Sequence, residues 1–414
     1  MRRERQARGG IGRNVVAMGL TSFFTDISSE MVYPLIQAFV SLLLSSTKTM
    51  VGPLLGLIEG VAEASASLLK VYSGYMSDRL PRRKALTISG YSLSAASKLL
   101  YLAAHLSWAF VFLARFFDRV GKGIRTAPRD ALISESTDRS AQGKAYGFHR
   151  AMDYLGALLG VAICYFISIR YMDPLHGTIT DLSSFYLLFL ISVVPAVAGV
   201  LVLFFVREGG RKAPAAPGAA LPAAFSLRGM DGSLRQFFVA VFVFTLGNSS
   251  NQFLLLKTME AGTGLPRMLL MYMVFNLTTS ILSTPLGSLS DRIGRKRIIL
   301  AGYLLYSFVY LMFGLITSSM KDLLWLFWAL YGVYYALTEG IEKALVADLA
   351  PKEKRGTVMG LFNTITGVGL LPASLIAGFL YSFSPVYPFA FGGATALAAF
   401  VIILFFLKEQ RVNG

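Results

Sequence analysis

Apolar residues gather in twelve stretches, at 14–44, 51–76, 84–105, 107–135, 143–169, 182–206, 235–262, 265–289, 297–318, 321–348, 355–381 and 386–407. A helix needs roughly 20 such residues to cross a hydrocarbon core, and stretches longer than that imply tilting or extension beyond the hydrocarbon. The pattern therefore predicts an all-α membrane protein with twelve transmembrane helices. The run RKAPAAPGAALPAA, from Arg211 to Ala224, is rich in Pro, Ala and Gly and has no periodicity, so it reads as a linker. The expected organisation is a six-helix bundle over residues 1–206, a cytoplasmic linker over 207–234 and a second six-helix bundle over 235–414.

Composition agrees with that pattern and narrows the chemistry. Of the 414 residues 55% are hydrophobic and 15% charged, more apolar surface than a soluble protein hides. The single Cys164 excludes an internal disulfide framework, and His105, His149 and His176 offer little to a soft metal, so neither metal nor cofactor is expected. The net charge of +16 raises the question of nucleic acid, but its distribution answers it. Lys and Arg crowd into alternate connections, while the opposite side has only Lys48, Arg170, Arg267 and Lys321. By the positive-inside rule both termini and the linker are cytoplasmic, and the charge orients a membrane protein. The basic start MRRERQARGGIGRN is like a signal-peptide n-region, yet no small-residue cleavage site follows and the first apolar run carries Asp26 and Glu30. It is expected to be a retained first helix.

The segment from Gly74 to Lys84, GYMSDRLPRRK, recurs from Gly287 to Arg297 as GSLSDRIGRKR, an offset of 213. The same offset aligns Glu135 with Asp348, Gly147 with Gly360 and Gly156 with Gly369. Separate matches at one offset imply a duplicated unit of about half the chain, and a parallel six-helix repeat is one architecture of secondary transporters. At these residues the chain resembles the major facilitator superfamily. The loops holding Gly74, Asp78, Arg79 and Arg82, and Gly287, Asp291, Arg292 and Arg295, look like that family's signature between helices 2 and 3 and helices 8 and 9. In the fifth span Gly147, Gly156 and Gly160 resemble the antiporter motif of the drug-exporting branch, with Val161 where Pro is usual, and Arg115 stands near the place of that branch's membrane-embedded arginine. The resemblance implies two pseudo-symmetric six-helix bundles, a small-molecule substrate, a monomer, and a place in the cytoplasmic membrane of a bacterium.

The signature residues have a physical reading of their own. Gly74 and Gly287 would let helix backbones approach closely, and Asp78 and Asp291 would accept hydrogen bonds from a facing helix N-terminus. With the basic residues they form a gating latch; the competing reading is that they only set topology. The fourth span carries Arg115, Arg119, Lys122, Arg125 and Arg129 within roughly a 120° stripe, which cannot face lipid. Arg115 and Arg119 are the choice for binding negative charge, while Arg125 and Arg129 read as a solvated helix end near Pro128, which is expected to end or kink the helix. Asp26 with Glu30, and Glu59 with Glu63, lie four residues apart on one helix face. They are candidate proton carriers, or else permanent partners of the basic stripe, with Lys70 and Lys98 also available. His149, Arg150 and Asp153 share a face and either shuttle a proton or lock the helix. In the second half, Asn248, Asn251, Gln252, Lys257 and Tyr335 are candidate substrate contacts.

The expected activity is secondary active transport of a small polar solute, anionic or zwitterionic, by alternating access with protons as coupling ion. The alternatives are a proton-driven exporter of drugs or metabolites, a lipid-modifying membrane enzyme and a non-transporting sensor. Against an enzyme stands the lack of a Gly-x-Ser-x-Gly elbow or a Walker phosphate loop. Besides its substrate, protons and lipid no partner is expected, and no nucleic acid.

Overall fold

The computed structural model describes residues 12–44, 48–79, 83–136, 142–171, 182–208, 231–349 and 355–407. Among them every regular element is helical: α1 (Arg13–Val32), α2 (Ile36–Leu43), α3 (Val51–Arg79), α4 (Arg83–Ser97), α5 (Trp108–Glu135), α6 (Gln142–Tyr171), α7 (Leu182–Leu203), α8 (Gly232–Gly247), α9 (Gln252–Glu260), α10 (Leu265–Ile293), α11 (Arg295–Leu315), α12 (Leu324–Leu349), α13 (Arg355–Phe383) and α14 (Tyr387–Phe406). A 3-10 turn at Tyr33–Leu35 joins α1 to α2, and one at Lys98–Ala103 extends α4. Counting α1 with α2 and α8 with α9 as broken rods leaves twelve rods over the twelve apolar stretches. Among the described residues eight segments are long and apolar enough to cross a membrane by length and composition. α4, which is 15 residues long, and α1, α5 and α12, which carry internal charge, fall outside that set.

The two breaks occupy equivalent places in the repeat, since the offset of 213 carries Pro34 of the 3-10 turn onto Gly247 at the end of α8. Pro34 removes a backbone donor, and after Gly247 the chain leaves the helix at Asn248, with φ −86° and ψ 77°. Pro128, in contrast, neither ends nor interrupts its element: α5 continues through it to Glu135. Between α10 and α11 a single residue, Gly294, turns the chain at φ +97°, a conformation that L side chains rarely adopt.

The helices fall into two compact units. The first holds α1, the part of α3 from Ser65 onward, and α4 to α7; the second holds α2 from Gln37, α3 through Ala64, and α8 to α14. In the first, α1 packs on α6 and α7, and α4 on α5. Its core includes Val15, Met18, Tyr91, Leu132, Ile133 and Leu203. In the second, α8 packs on α13 and α14, α10 on α12, and α11 on α12 and α14. There the rings of Phe244 and Tyr303 stack at 4.2 Å, those of Tyr306 and Tyr310 at 4.3 Å, and Trp328 is fully buried. Large apolar side chains point outward instead on both units, Phe166 and Val194 on one and Phe379 and Phe405 on the other. In water such surface would be a liability; in hydrocarbon it is the expected exterior.

Each half also ties its third rod to its last by the same device. Lys84 Nζ donates to the carbonyls of Phe204 and Val206 at 3.0 and 2.7 Å, and Lys296 Nζ to those of Leu404 and Leu407 at 3.0 and 2.6 Å. The free carbonyls at a helix C-terminus attract a cation, so these two signature lysines cap helices.

Candidate functional site

In the first unit α4 and α5 can approach closely because Gly90 and Gly121 face each other: a Cβ on Gly121 would lie 2.5 Å from the Gly90 carbonyl oxygen. That contact buries the basic stripe of α5. Arg115, 2% exposed, lies with its guanidinium 3.6 Å from the Asp118 carboxylate and 4.7 Å from the centre of the Tyr33 ring. Lys98 Nζ is 3.7 Å from the other Asp118 oxygen and donates to Ser29 Oγ at 3.3 Å. Asp118 thus stands between two buried cations. The spacing from Arg115 to Asp118 is one helical turn, so the signal lay in the same stripe that singled out the arginines, which had been read for positive charge alone.

The rest of the stripe corrects the expectation of a solvated end. Arg125 is 6% exposed, donates to Ser94 Oγ and lies 4.3 Å over the Tyr91 ring. Arg129 pairs with Asp130 at 2.8 Å. Arg119 and Lys122 are half-buried.

α6 brings its acid to the acids of α1. Gly156 lies against the Phe23 carbonyl, and a Cβ on Gly160 would lie 2.6 Å from the Ile27 carbonyl oxygen. This close approach puts Asp153 within electrostatic reach of Asp26, together with Glu30, Lys122 and Arg125. Asp153 lies 3.5 Å from His149 Nδ1 and 3.9 Å from Arg150.

In the second unit the break after α8 exposes backbone and amides to a cluster of tyrosines. Asn248 Nδ2 donates to the Tyr334 hydroxyl oxygen at 3.4 Å, and the Tyr331 hydroxyl donates to Asn251 Oδ1 at 2.8 Å. Ser249 shares a hydrogen bond of 3.0 Å with Tyr310, and Tyr306 donates to the Gly247 carbonyl at 3.0 Å. Ser250 donates to Glu59 at 3.4 Å. Tyr335 is half-buried, its ring 5.3 Å from that of Tyr331, and Gln252 is buried. Lys257 lies half-buried near the end of α9, in reach of Glu260, which accepts from Tyr381 at 2.7 Å. Glu63 is half-buried on α3. Interrupted helices with free backbone groups occur in membranes where they line a cavity, and in transporters they mark binding sites.

Of the signature loops, Arg82 lies outside the described residues, as do the side chains of Asp78, Arg79, Asp291 and Arg292 and the surroundings of Gly74 and Gly147. Arg295 pairs with Asp348 on α12 and donates to Ser290 Oγ at 3.4 Å. Among the described residues nothing lies within 4 Å of a Cβ placed on Gly287.

Comparison with known proteins accords with this arrangement. An uncharacterized MFS-type transporter of Methanocaldococcus jannaschii is 34% identical over 403 residues, 95% of each chain. Multidrug resistance protein 2 of Bacillus subtilis is 33% identical over 136 residues, 33% of this chain and 34% of its own. Among solved structures, a D-xylose–proton symporter superposes with a TM-score of 0.77 at 15% identity, covering 96% of this chain and 98% of its own. The sequence profile of the Major Facilitator Superfamily matches residues 18–266 and 237–414, and with near full-length similarity to one of its members the chain belongs to that superfamily and is a multi-pass membrane transporter.

Proposed function

We propose that the protein is a secondary active transporter that moves a small polar solute, anionic or zwitterionic, across the cytoplasmic membrane by alternating access coupled to protons. The observation that carries this reading is the buried row of Lys98, Asp118 and Arg115. Taking such charges out of water costs several kcal/mol per ion, and a chain that only excluded apolar compounds would not need them. In the first unit Arg115 and Arg119 are the proposed contacts for negative charge; in the second Asn248, Asn251, Gln252, Lys257 and Tyr335 supply neutral and positive contacts. Asp26, Glu30, Glu59, Glu63 and Asp153 are the proposed proton carriers, and the signature loops with Gly147, Gly156 and Gly160 the gating elements. Both termini are placed in the cytoplasm by the distribution of Lys and Arg, and the protein acts as a monomer.

The test is a flux screen in proteoliposomes under an imposed pH gradient, with amino acids, dicarboxylates and short peptides as probes. One of these classes is expected to accumulate. Asp26→Asn is expected to lose pH-driven accumulation of that solute yet retain exchange down its own gradient, because binding and alternation survive without the carrier. Loss of both activities in Asp26→Asn would give that residue a structural role instead. Accumulation that ignores pH in the parent protein would remove proton coupling. A second reading, a proton-driven exporter of drugs or metabolites, is favoured by the relatives named for multidrug resistance and by the tyrosine cluster around Tyr331, and extrusion of organic cations with no flux of polar probes would establish it.

A further inference from the structure

α1 and α6 run parallel, and their polar residues meet at successive turns. Ser22 Oγ lies 2.9 Å from His149 Nε2. One turn further along both helices, Asp26 and Asp153 stand in electrostatic reach of each other. One turn beyond, Glu30 Cβ lies 3.1 Å from where a Cβ on Gly160 would sit. His149 links the first two levels, since its Nδ1 is 3.5 Å from Asp153 Oδ2. The ring is 4% exposed. Asp26 lies in electrostatic reach of Lys122 and Arg125 from α5 as well as of the acids, and among the described residues Asp153 Oδ1 is buried without a hydrogen-bond partner. Ser22 shares a further hydrogen bond with the Tyr91 hydroxyl at 3.2 Å and accepts from Arg129 at 3.4 Å. The charged groups that face the imidazole are Asp153 and Arg150 from α6, and Arg129 and Asp130 from α5. Tyr91 reaches it through Ser22, and Asp26 through Asp153.

We propose that His149 is the relay through which the carboxyl pair Asp26 and Asp153 exchanges its proton with the end of the seam nearest Ser22. Imidazole suits this because its two nitrogens are distinct, one facing each neighbour. In the step, the ring starts neutral with its proton on Nδ1; a proton arriving at Nε2 from the Ser22 end is matched by transfer of the Nδ1 proton to Asp153 Oδ2. Carboxylate becomes carboxylic acid, and the ring is left neutral with its proton on Nε2, donated to Ser22 Oγ. The reverse step discharges the pair and returns the ring proton to Nδ1. Two like charges at close quarters favour one shared proton over two ionised groups, so the pair stores one proton and His149 delivers it. This rests on the proton-coupled reading above and adds the path.

The chain has three histidines, so full-length protein labelled with nitrogen-15 histidine gives few signals, and that of His149 is identified by its loss in His149→Asn. Titration from pH 5 to 9 should show the neutral His149 ring exchanging its Nε2-protonated for its Nδ1-protonated tautomer as the carboxyl pair loses its proton, with a midpoint that moves by about one pH unit in Asp153→Asn and also in Asp26→Asn, because coupled groups titrate as a set. Asp26→Ser and His149→Gln serve if the first variants do not fold. A ring that keeps one tautomer across the range, or a midpoint that ignores the substitution at Asp26, overturns the relay and leaves His149 as a lock between α1 and α6. Absence of pH-driven flux would sink the transport reading without moving these signals, and unresponsive signals would sink the relay without touching flux.

Discussion

Asp118→Asn is expected to destabilise the folded protein by about 3–5 kcal/mol, the range for removing one member of a buried ion set and stranding the others. Asp118 faces Arg115 and Lys98 at 3.6 and 3.7 Å, with 4% or less of each side chain exposed. Those distances exceed hydrogen-bond length, so the attraction is between charges in a medium that screens them poorly. Arg115→Gln should cost a similar amount, and the double variant should recover most of the loss. Thermal unfolding of the two single variants and the double variant in detergent measures this, and strictly additive losses would show that the two residues do not act as a pair. The same variants separate structure from binding. If Arg115 also holds a substrate anion, a charge-assisted hydrogen bond of about 1.5–3 kcal/mol is at stake. Arg115→Gln should then weaken apparent affinity by roughly 10- to 100-fold, and Arg115→Lys should restore part of it, since an ammonium cannot reproduce a two-pronged guanidinium. Unchanged affinity with lost stability would sink the anion contact and leave Arg115 as a purely structural partner of Asp118.

Gly156→Val is expected to cost about 3 kcal/mol or more and to abolish transport, because its side chain must enter the space held by the Phe23 carbonyl of α1. Backbone cannot yield as a flexible side chain can, so α1 and α6 would separate and Asp26 would lose its place beside Asp153. Gly156→Ala should show a smaller loss of the same kind. Gly287→Ala is the contrast: with nothing among the described residues within 4 Å of its Cβ position, replacement of a helical glycine should leave melting unchanged or raise stability by about 0.5–1 kcal/mol. Melting temperature and the monodisperse fraction on size exclusion report both. Equal tolerance at the two positions would overturn the close-approach reading of α1 and α6.

The ends of the helices were legible in the sequence because apolar runs and polar connections alternate sharply: the stretch read at 265–289 is α10, Leu265–Ile293, and that read at 355–381 is α13, Arg355–Phe383. The breaks inside two rods were not legible from hydropathy. Pro34 lies among apolar residues, and the polar run from Asn248 to Gln252 is too short to divide the stretch at 235–262 when hydropathy is averaged over the length of a span; only Pro34 gave a local backbone signal. Pro128 gave the same signal and proved silent, as α5 continues through it. Periodicity put Arg115, Arg119 and Arg125 on one face correctly in kind, but depth along a helix is not encoded in spacing. Arg125, taken as solvated, is buried by Tyr91 and Ser94 of α4. Asp118 escaped notice because the stripe was read for positive charge alone, and its second partner, Lys98, is twenty positions away on another element. The likeness of Gly156 and Gly160 to a known motif marked the α1–α6 seam, and the carbonyls that make those glycines necessary became visible only in three dimensions.

That seam has a consequence for how the protein is made. Ser22 and His149 are 127 residues apart in the chain, so at a synthesis rate of about 5–20 residues per second α1 enters the membrane roughly 6–25 s before its mate exists. Throughout that interval Asp26 and Glu30 have no α6 to receive them, although mid-membrane acids are costly there. The first helix must therefore wait at the edge of the insertion machinery, or in the care of a chaperone, until residues past 160 emerge. Ribosomes stalled on messages truncated before and after α6 should consequently differ in whether α1 can be extracted by alkaline wash, and the polar ladder that serves the finished protein is also what delays its assembly.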